Sequence, residues 1–157
     1  MKTKNIEIGK YAGFCGGVEL CINKLEKLVE KHNNLYCLGE IVHNSEVIKY
    51  FKDKGLIIVD SLDEVKSDNL VIRAHGTEKK NYEIAKSKNI NLHDLTCPKV
   101  LNIRTIIKEY LNDETYIILI AKHNHPETIS TISFCGKNSS VVETEEEINK
   151  LIPKIDD

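Results

Sequence analysis

The stretch LYCLGEIVHNSEVIKYFKDKGLIIV, residues 35–59, decides the fold class of this chain. Short apolar runs at 35–38 and 56–59 flank a helical pattern that extends from about residue 46 to residue 54. This alternation is typical of a crossover unit, in which a helix connects two parallel strands of a covered sheet. The sequence therefore predicts an α/β fold built on a mostly parallel sheet.

The same alternation of strand and helix continues on both sides of this stretch. Further strands are predicted at 6–12, 70–73, 92–95, 116–121 and 140–142, and we expect the strand at 116–121 to be buried. Further helices are predicted after Cys15 and at 78–88, 98–111, 127–134 and 145–151. Residues 1–96 are expected to form one complete small α/β lobe. Residues 97–157 supply only two clear strands, so they are expected to form an incomplete second lobe.

Composition and charge exclude several classes of protein. The net charge is −2 and the acids and bases are mixed, so we expect neither a nucleic-acid surface nor a basic membrane-binding helix. Residues 1–10 lack the apolar centre of a signal peptide, and no apolar run approaches the length of a membrane span, which favours a cytoplasmic protein. In that reducing compartment, five cysteines favour free thiols, metal ligands or catalysis over disulfides.

Two cysteines are candidate metal ligands because each stands where a strand hands over to a helix. These are Cys15 and Cys97, and the unpaired N–H groups of a first helical turn stabilise thiolates at such positions. No cysteine or histidine pair has the spacing of a structural zinc site, so an iron–sulfur cluster fits better. Cys21 and Cys37 are expected in the core. Cys135 is only a weak candidate for the third cluster ligand. We expect that third cysteine to be missing from this chain.

Three histidines occupy the same kind of strand-to-helix position, namely His43, His75 and His125. Any one of them alone reads as an ordinary hydrogen-bonded histidine. Three at equivalent strand ends favour an anion site, because imidazoles beside helix N-termini donate hydrogen bonds to phosphate oxygens. A diphosphate carries enough charge to recruit several such donors at once.

The remaining polar candidates leave alternatives open. Glu127 is either a helix cap or a proton donor beside a metal-bound ligand. Arg73 and Lys122 either line the anion site or form a solvated rim. The rest are histidines: His32 and His93 are predicted in surface turns, and His123 stays undecided.

Five segments in order resemble the 4-hydroxy-3-methylbut-2-enyl diphosphate reductases, the iron–sulfur enzymes that end the non-mevalonate isoprenoid pathway. They are GFCGGV at 13–18, VHN at 42–44, AHG at 74–76, TCP at 96–98 and HPE at 125–127. Their spacing is also similar to that of the family, and five motifs in register are a specific signal. The glycine that follows the first cysteine replaces a more usual alanine, which leaves the resemblance intact.

The resemblance implies a cofactor, a reaction and partners. It implies a 4Fe-4S cluster held by three cysteines, with an open iron that binds the terminal oxygen of an allylic diphosphate substrate. The reaction is a two-electron reductive dehydroxylation that gives isopentenyl and dimethylallyl diphosphates, with electrons from ferredoxin or flavodoxin. By position, Cys15 and Cys97 match two cluster ligands, His43 and His75 match diphosphate-binding residues, His125 matches a substrate-lining histidine, and Glu127 matches a carboxylate implicated in proton delivery.

The resemblance also implies three similar lobes around the cluster, of which this chain covers the first and part of the second. The third lobe is then absent, together with a third cysteine and a Ser-x-Asn segment, so the chain alone is expected to be inactive. Two alternatives stay open. One is a non-catalytic α/β module that binds a nucleotide or diphosphate at its strand ends. The other is a different iron–sulfur reductase or dehydratase on a related plan.

Overall fold

The computed structural model describes residues 5–155 and confirms the predicted α/β class. The strands are β1 Tyr36–Leu38, β2 Ile57–Val59, β3 Asn69–Ile72, β4 Asn91–Asp94, β5 Ile117–Ile120 and β6 Ser139–Val142. The helices are α1 Gly16–Lys31, α2 Ser45–Asp53, α3 Lys79–Ser87, α4 Pro98–Tyr110, α5 Pro126–Ile132 and α6 Glu145–Leu151. No helix within the described residues is long and apolar enough to cross a lipid bilayer.

The first sheet has four strands in the order β2-β1-β3-β4, and all of its strand pairs are parallel. At its centre Cys37 lies opposite Ile58 on one side and Val71 on the other. Because the strands are parallel, their carboxyl ends lie along one edge of the sheet, where ligands of open α/β sheets bind. The loops after β1, β3 and β4 therefore emerge together.

Both faces of the first sheet are covered, and the alternation of side chains along β1 decides which residues face which layer. Cys37 packs with Cys21 and Leu25 of α1 on one face. Tyr36 and Leu38 point to the opposite face, which α3 covers. Cys21 and Cys37 are 1% and 0% exposed, so the prediction that both belong to the core is confirmed.

The second sheet consists of β5 and β6, which pair in parallel with Ile117 opposite Ser139. The expectation that β5 is buried is wrong, because Ile118 and Ile120 are 40% and 74% exposed. Within residues 5–155, β5 pairs with a single strand, and its outward-facing side chains remain exposed. The physical reason is that an apolar strand is buried only where another layer packs on it.

The predicted strand at 6–12 is also wrong. Residues 5–9 have no regular secondary structure, and Ile6 and Ile8 are 90% and 86% exposed. A strand requires a hydrogen-bonded neighbour, and none of the described strands pairs with this segment. The alternating apolar pattern alone therefore does not form a strand among the described residues.

We expect the chain to self-associate through the exposed apolar side of β5 and α4. Ile106 and Tyr110 of α4 are exposed, as is Ile120, and apolar patches of this kind promote association. Sedimentation equilibrium should show weight-average mass rising with protein concentration, and Ile120→Lys should reduce this rise. Lys137→Glu, a charge change at an exposed loop residue, is the control. A monomer at all concentrations would contradict the expectation.

Candidate functional site

The two candidate thiols lie at helix N-termini that touch. Cys15 is the N-cap of α1 and Cys97 is the N-cap of α4, and neither side chain makes a cap hydrogen bond to any described residue. Cys97 Sγ lies so close to Gly17 that a Cβ on that glycine would collide with the sulfur. Both cysteines are free thiols. The structure therefore brings the Cys97 thiol against the first turn of the helix that Cys15 caps.

Backbone hydrogen bonds join the loops that emerge from the first sheet. The Cys97 N–H donates to the Ala74 carbonyl at 2.9 Å, and the Ala74 N–H donates to the Ile41 carbonyl at 3.4 Å. His75 follows Ala74 directly, and His43 comes two residues after Ile41. The cysteine loop and two of the histidine loops consequently lie side by side.

The three candidate histidines form one cluster. The ring centroids are 4.6 Å apart for His43 and His75, 5.6 Å for His75 and His125, and 5.9 Å for His43 and His125. One ring nitrogen from each lies within 4.8 Å of the other two. Residues 82 positions apart along the chain thus present their imidazoles to one small space.

His125 reaches this cluster because α5 packs on the turn that follows His75. The Ser130 hydroxyl donates to the Thr77 carbonyl at 3.0 Å, and the Lys79 N–H donates to the Ser133 hydroxyl at 2.9 Å. Ser130 is 1% exposed, so the first of these two hydrogen bonds is shielded from water. They attach the second part of the chain to the first at the histidine cluster.

His75 is the half-buried histidine whose basicity its surroundings reduce. Burial, with smaller electrostatic contributions from His43, Arg73 and His125, lowers the pKa of His75 from 6.5 to about 4. The Nδ1 atom of His75 is buried and has no hydrogen-bond partner among the described residues. An orphaned buried nitrogen is costly, so the site favours a ligand that bonds to it.

The hydrogen bond at His125 distinguishes an anion site from a metal site. Nδ1 of His125 accepts the N–H of Glu127 at 3.2 Å, so in the neutral ring the proton is on Nε2. A metal bound to Nε2 would shift that proton to Nδ1 and break the cap, whereas a phosphate oxygen accepts the Nε2 proton directly. The cap therefore favours an anion over a metal ion at the three histidines.

The cysteines divide into two that are accessible and three that are buried. Burial raises the pKa of Cys21 to about 12, and it does the same for Cys37. Cys135 is 0% exposed, and its thiol donates to the Thr131 carbonyl at 3.5 Å. These three thiols are held in the protonated form by their surroundings. Cys15 and Cys97, exposed and half-buried, have the positions of soft-metal ligands and fit a share of an iron–sulfur cluster.

The other polar candidates have defined surroundings. Glu127 and Lys122 line a cavity of about 300 Å³ together with His125. The Arg73 guanidinium packs against Gly39, at the end of β1. His123 bonds to Glu147 at 2.9 Å, on the α6 side of the second sheet. Glu127 and Lys122 thus share a cavity with one member of the histidine cluster, His125, and Arg73 does not line this cavity.

The expectation that His32 and His93 lie in surface turns is wrong. His93 lies in β4, and its Nε2 is 3.0 Å from Asn69 Oδ1. His32 ends α1, and its ring centroid is 5.0 Å from that of His93. Neither contributes to the histidine cluster. The helix end and the strand edge place these two rings together, which a reading of local turn residues misses.

Several known proteins have sequences similar to that of this chain. Residues 6–156 match the family described as LytB protein. A protein of Clostridioides difficile is 35% identical over 149 residues, which is 94% of this chain and 53% of the relative. A protein of Bacteroides thetaiotaomicron is 36% identical over 152 residues. Both are named 4-hydroxy-3-methylbut-2-enyl diphosphate reductase.

Solved structures resemble the chain in the same way. The E-1-hydroxy-2-methyl-but-2-enyl-4-diphosphate reductase of Plasmodium falciparum superposes with a TM-score of 0.82 at 31% identity. The match covers 90% of this chain and 45% of that one. A second structure, of (E)-4-hydroxy-3-methyl-but-2-enyl diphosphate reductase, gives a TM-score of 0.79 at 30% identity. The chain spans about half the length of the curated relatives it matches.

Proposed function

Because the chain belongs to the LytB protein family, we propose that it forms part of a 4-hydroxy-3-methylbut-2-enyl diphosphate reductase. The reaction proposed for the whole protein is the two-electron reductive dehydroxylation of that diphosphate to isopentenyl and dimethylallyl diphosphates. The observation that supports this most is the contact of Cys97 with the first turn of α1, beside the three imidazoles. The thiols and the imidazoles would then act on one molecule, the diphosphate substrate.

In our proposal, this chain supplies two thiolate ligands to an iron–sulfur cluster. Cys15 and Cys97 would hold a 4Fe-4S cluster, which supplies electrons and a Lewis-acidic iron for breaking the allylic C–O bond. The free N–H groups at the start of α1 and α4 stabilise both thiolates. Gly17 leaves the space that the Cys97 sulfur occupies.

The three histidines would anchor the diphosphate. His125 donates from Nε2, because its Nδ1 is engaged in the helix cap. His75 stays neutral at pH 7, since its pKa is lowered to about 4, and it binds oxygen as an uncharged donor. Anchoring the distant diphosphate orients the allylic alcohol toward the cysteines. Glu127, in the cavity beside His125, would hold the proton for the departing hydroxyl.

The remaining parts of the proposal concern setting and organisation. We propose a lobe boundary between residues 96 and 97, where β4 leads into α4. A cytoplasmic setting is supported by the five free thiols, and a ferredoxin or flavodoxin would deliver the electrons. Since the chain spans about half of its relatives, we expect no turnover by the 157-residue chain alone.

Anaerobic reconstitution with iron, sulfide and an external thiol tests the cluster assignment. The external thiol supplies a third ligand, so the wild-type chain should bind iron and sulfide and turn brown. Cys15→Ser and Cys97→Ser should each lose most of the iron, whereas Cys135→Ser, at a buried cysteine, should retain it. Iron retained in both variants, with pyrophosphate binding intact, would instead favour the non-catalytic module.

A further inference from the structure

Arg104, which belongs to none of the sequence motifs, lies in the middle of α4 and bonds to α3, to α5 and to the turn after β3. Its Nη1 donates to the Tyr82 hydroxyl at 2.9 Å. Its Nη2 donates to the Ser130 hydroxyl at 2.7 Å and to the Thr77 carbonyl at 3.4 Å. The guanidinium carbon lies 4.3 Å from the Phe134 ring centroid. Within residues 5–155 it forms no salt bridge with a carboxylate.

One arm of this network leads to Cys97. The Tyr82 hydroxyl donates to Asp94 Oδ2 at 3.1 Å. Asp94 Oδ1 accepts the Thr96 N–H at 2.9 Å and the Thr96 hydroxyl at 2.5 Å. Thr96 precedes Cys97, so the two bonds fix the turn from β4 into α4. Arg104 therefore holds the aspartate that shapes the cysteine turn.

The other arm leads to two histidines. The Thr77 carbonyl belongs to the turn that begins at His75, two residues earlier. Ser130 lies on α5, whose N-cap is His125. Since Arg104 Nη2 bonds to both Thr77 and Ser130, it reinforces the direct hydrogen bond between these two residues and so helps to set the distance between the two histidine-bearing segments.

Gly76 makes this arrangement possible. Its φ of +74° favours glycine, and a Cβ there would collide with Arg104 Nη2 and lie 2.8 Å from Ser130 Oγ. The turn after His75 thus has a glycine where the guanidinium passes. The planar fork of arginine donates in fixed directions, which a lysine ammonium cannot reproduce.

We infer that Arg104 is a positioning residue that sets Cys97, His75 and His125 in their relative places. The inference rests on the proposed function in one respect, that these three residues serve one ligand. Its physical basis is a single guanidinium that is hydrogen-bonded directly to the supports of the two histidines, and through Tyr82 to the support of Cys97. Its role is to orient these supports, since none of its hydrogen bonds within the described part of the chain reaches a thiol or an imidazole.

The first test compares Arg104→Lys with Lys108→Met in the full 157-residue chain. Lys108 is exposed one turn further along the same helix, so its variant is the matched control. Under conditions where circular dichroism shows both variants folded, Arg104→Lys should raise the alkylation rate of Cys97 about tenfold and lower pyrophosphate affinity about tenfold. Lys108→Met should change neither. A folded Arg104→Lys chain with wild-type values of both would overturn the inference.

Two milder variants separate the arms and keep the inference testable if Arg104→Lys unfolds. Tyr82→Phe should accelerate Cys97 alkylation and leave pyrophosphate affinity unchanged, whereas Ser130→Ala should do the reverse. General loosening of the fold would move both values together in each variant, and that result would overturn the inference. If the wild-type chain binds no pyrophosphate, the anion site of the proposed function fails. The Arg104 role is then judged on Cys97 alkylation and the imidazole NMR shifts of His75.

Discussion

Gly17→Ala is expected to abolish iron binding by the Cys15 and Cys97 pair. The added Cβ would collide with Cys97 Sγ, so the sulfur would have to turn away from the first turn of α1 and from Cys15. The variant should therefore lose nearly all the iron that the wild-type chain retains after anaerobic reconstitution with an external thiol. Iron and sulfide content and the visible charge-transfer absorption measure the loss.

Gly16→Ala supplies the control one residue away. A Cβ at Gly16 meets no described atom within 4 Å, and alanine is the better helix former. Iron binding should therefore survive this change, and the thermal midpoint should not fall. Equal iron content in the Gly17→Ala and Gly16→Ala chains would show that the sulfur does not have to stay beside Gly17. The proposed pairing of the two thiols would then be wrong.

His75→Phe is expected to lower the affinity of the chain for inorganic pyrophosphate about 10- to 100-fold, because hydrogen bonds to charged groups contribute about 1.5 to 3 kcal/mol. The phenyl ring fills the buried volume without offering a donor. Isothermal titration calorimetry measures the effect. His123→Gln, which changes a histidine bonded to Glu147 outside the cluster, is the control and should bind pyrophosphate normally.

The same variant should change the pH dependence of stability. The pKa of His75 is lowered from 6.5 to about 4 in the folded chain, so the unfolded chain binds the extra proton first as the pH falls. Its contribution to stability is present above pH 6.5 and is lost between pH 6.5 and about pH 4. In urea unfolding, the free energy of unfolding should fall less over this pH interval in His75→Phe than in the wild-type chain. Parallel pH profiles for the two chains would contradict this assignment.

The strand-to-helix junctions could be predicted from the sequence because their signals are local. Pro98 suits a first helical turn, and α4 begins there. The apolar runs before His43 and His75 end in polar residues, and parallel pairing of β1 and β3 then brings those ends together. The convergence of the three histidines follows from this topology, although the distances between them do not.

Burial and long-range contacts could not be predicted in the same way. The patterns at 6–12 and in β5 indicate strands, but a strand is paired and buried only if another part of the molecule packs on it. Arg104 resembles any arginine on a helix, since its partners Tyr82, Thr77 and Ser130 are separated from it by 22 to 27 positions. Gly76 stands in the AHG motif at 74–76, but its close approach to a guanidinium depends on a helix that begins 22 residues later and has no local signal.

The histidine cluster spans two sheets, with consequences for how the molecule responds to its ligand. His43 and His75 follow strands of the first sheet, and His125 follows β5 of the second. An anion bound by all three histidines would link the two sheets. Its binding free energy would therefore also oppose separation of the sheets at their interface. By thermodynamic linkage, any change that separates the two sheets lowers the affinity for the anion by the same free energy. The interface between the sheets should therefore become more rigid as the anion site fills. Amide hydrogen exchange along α5 should be slower with the anion bound.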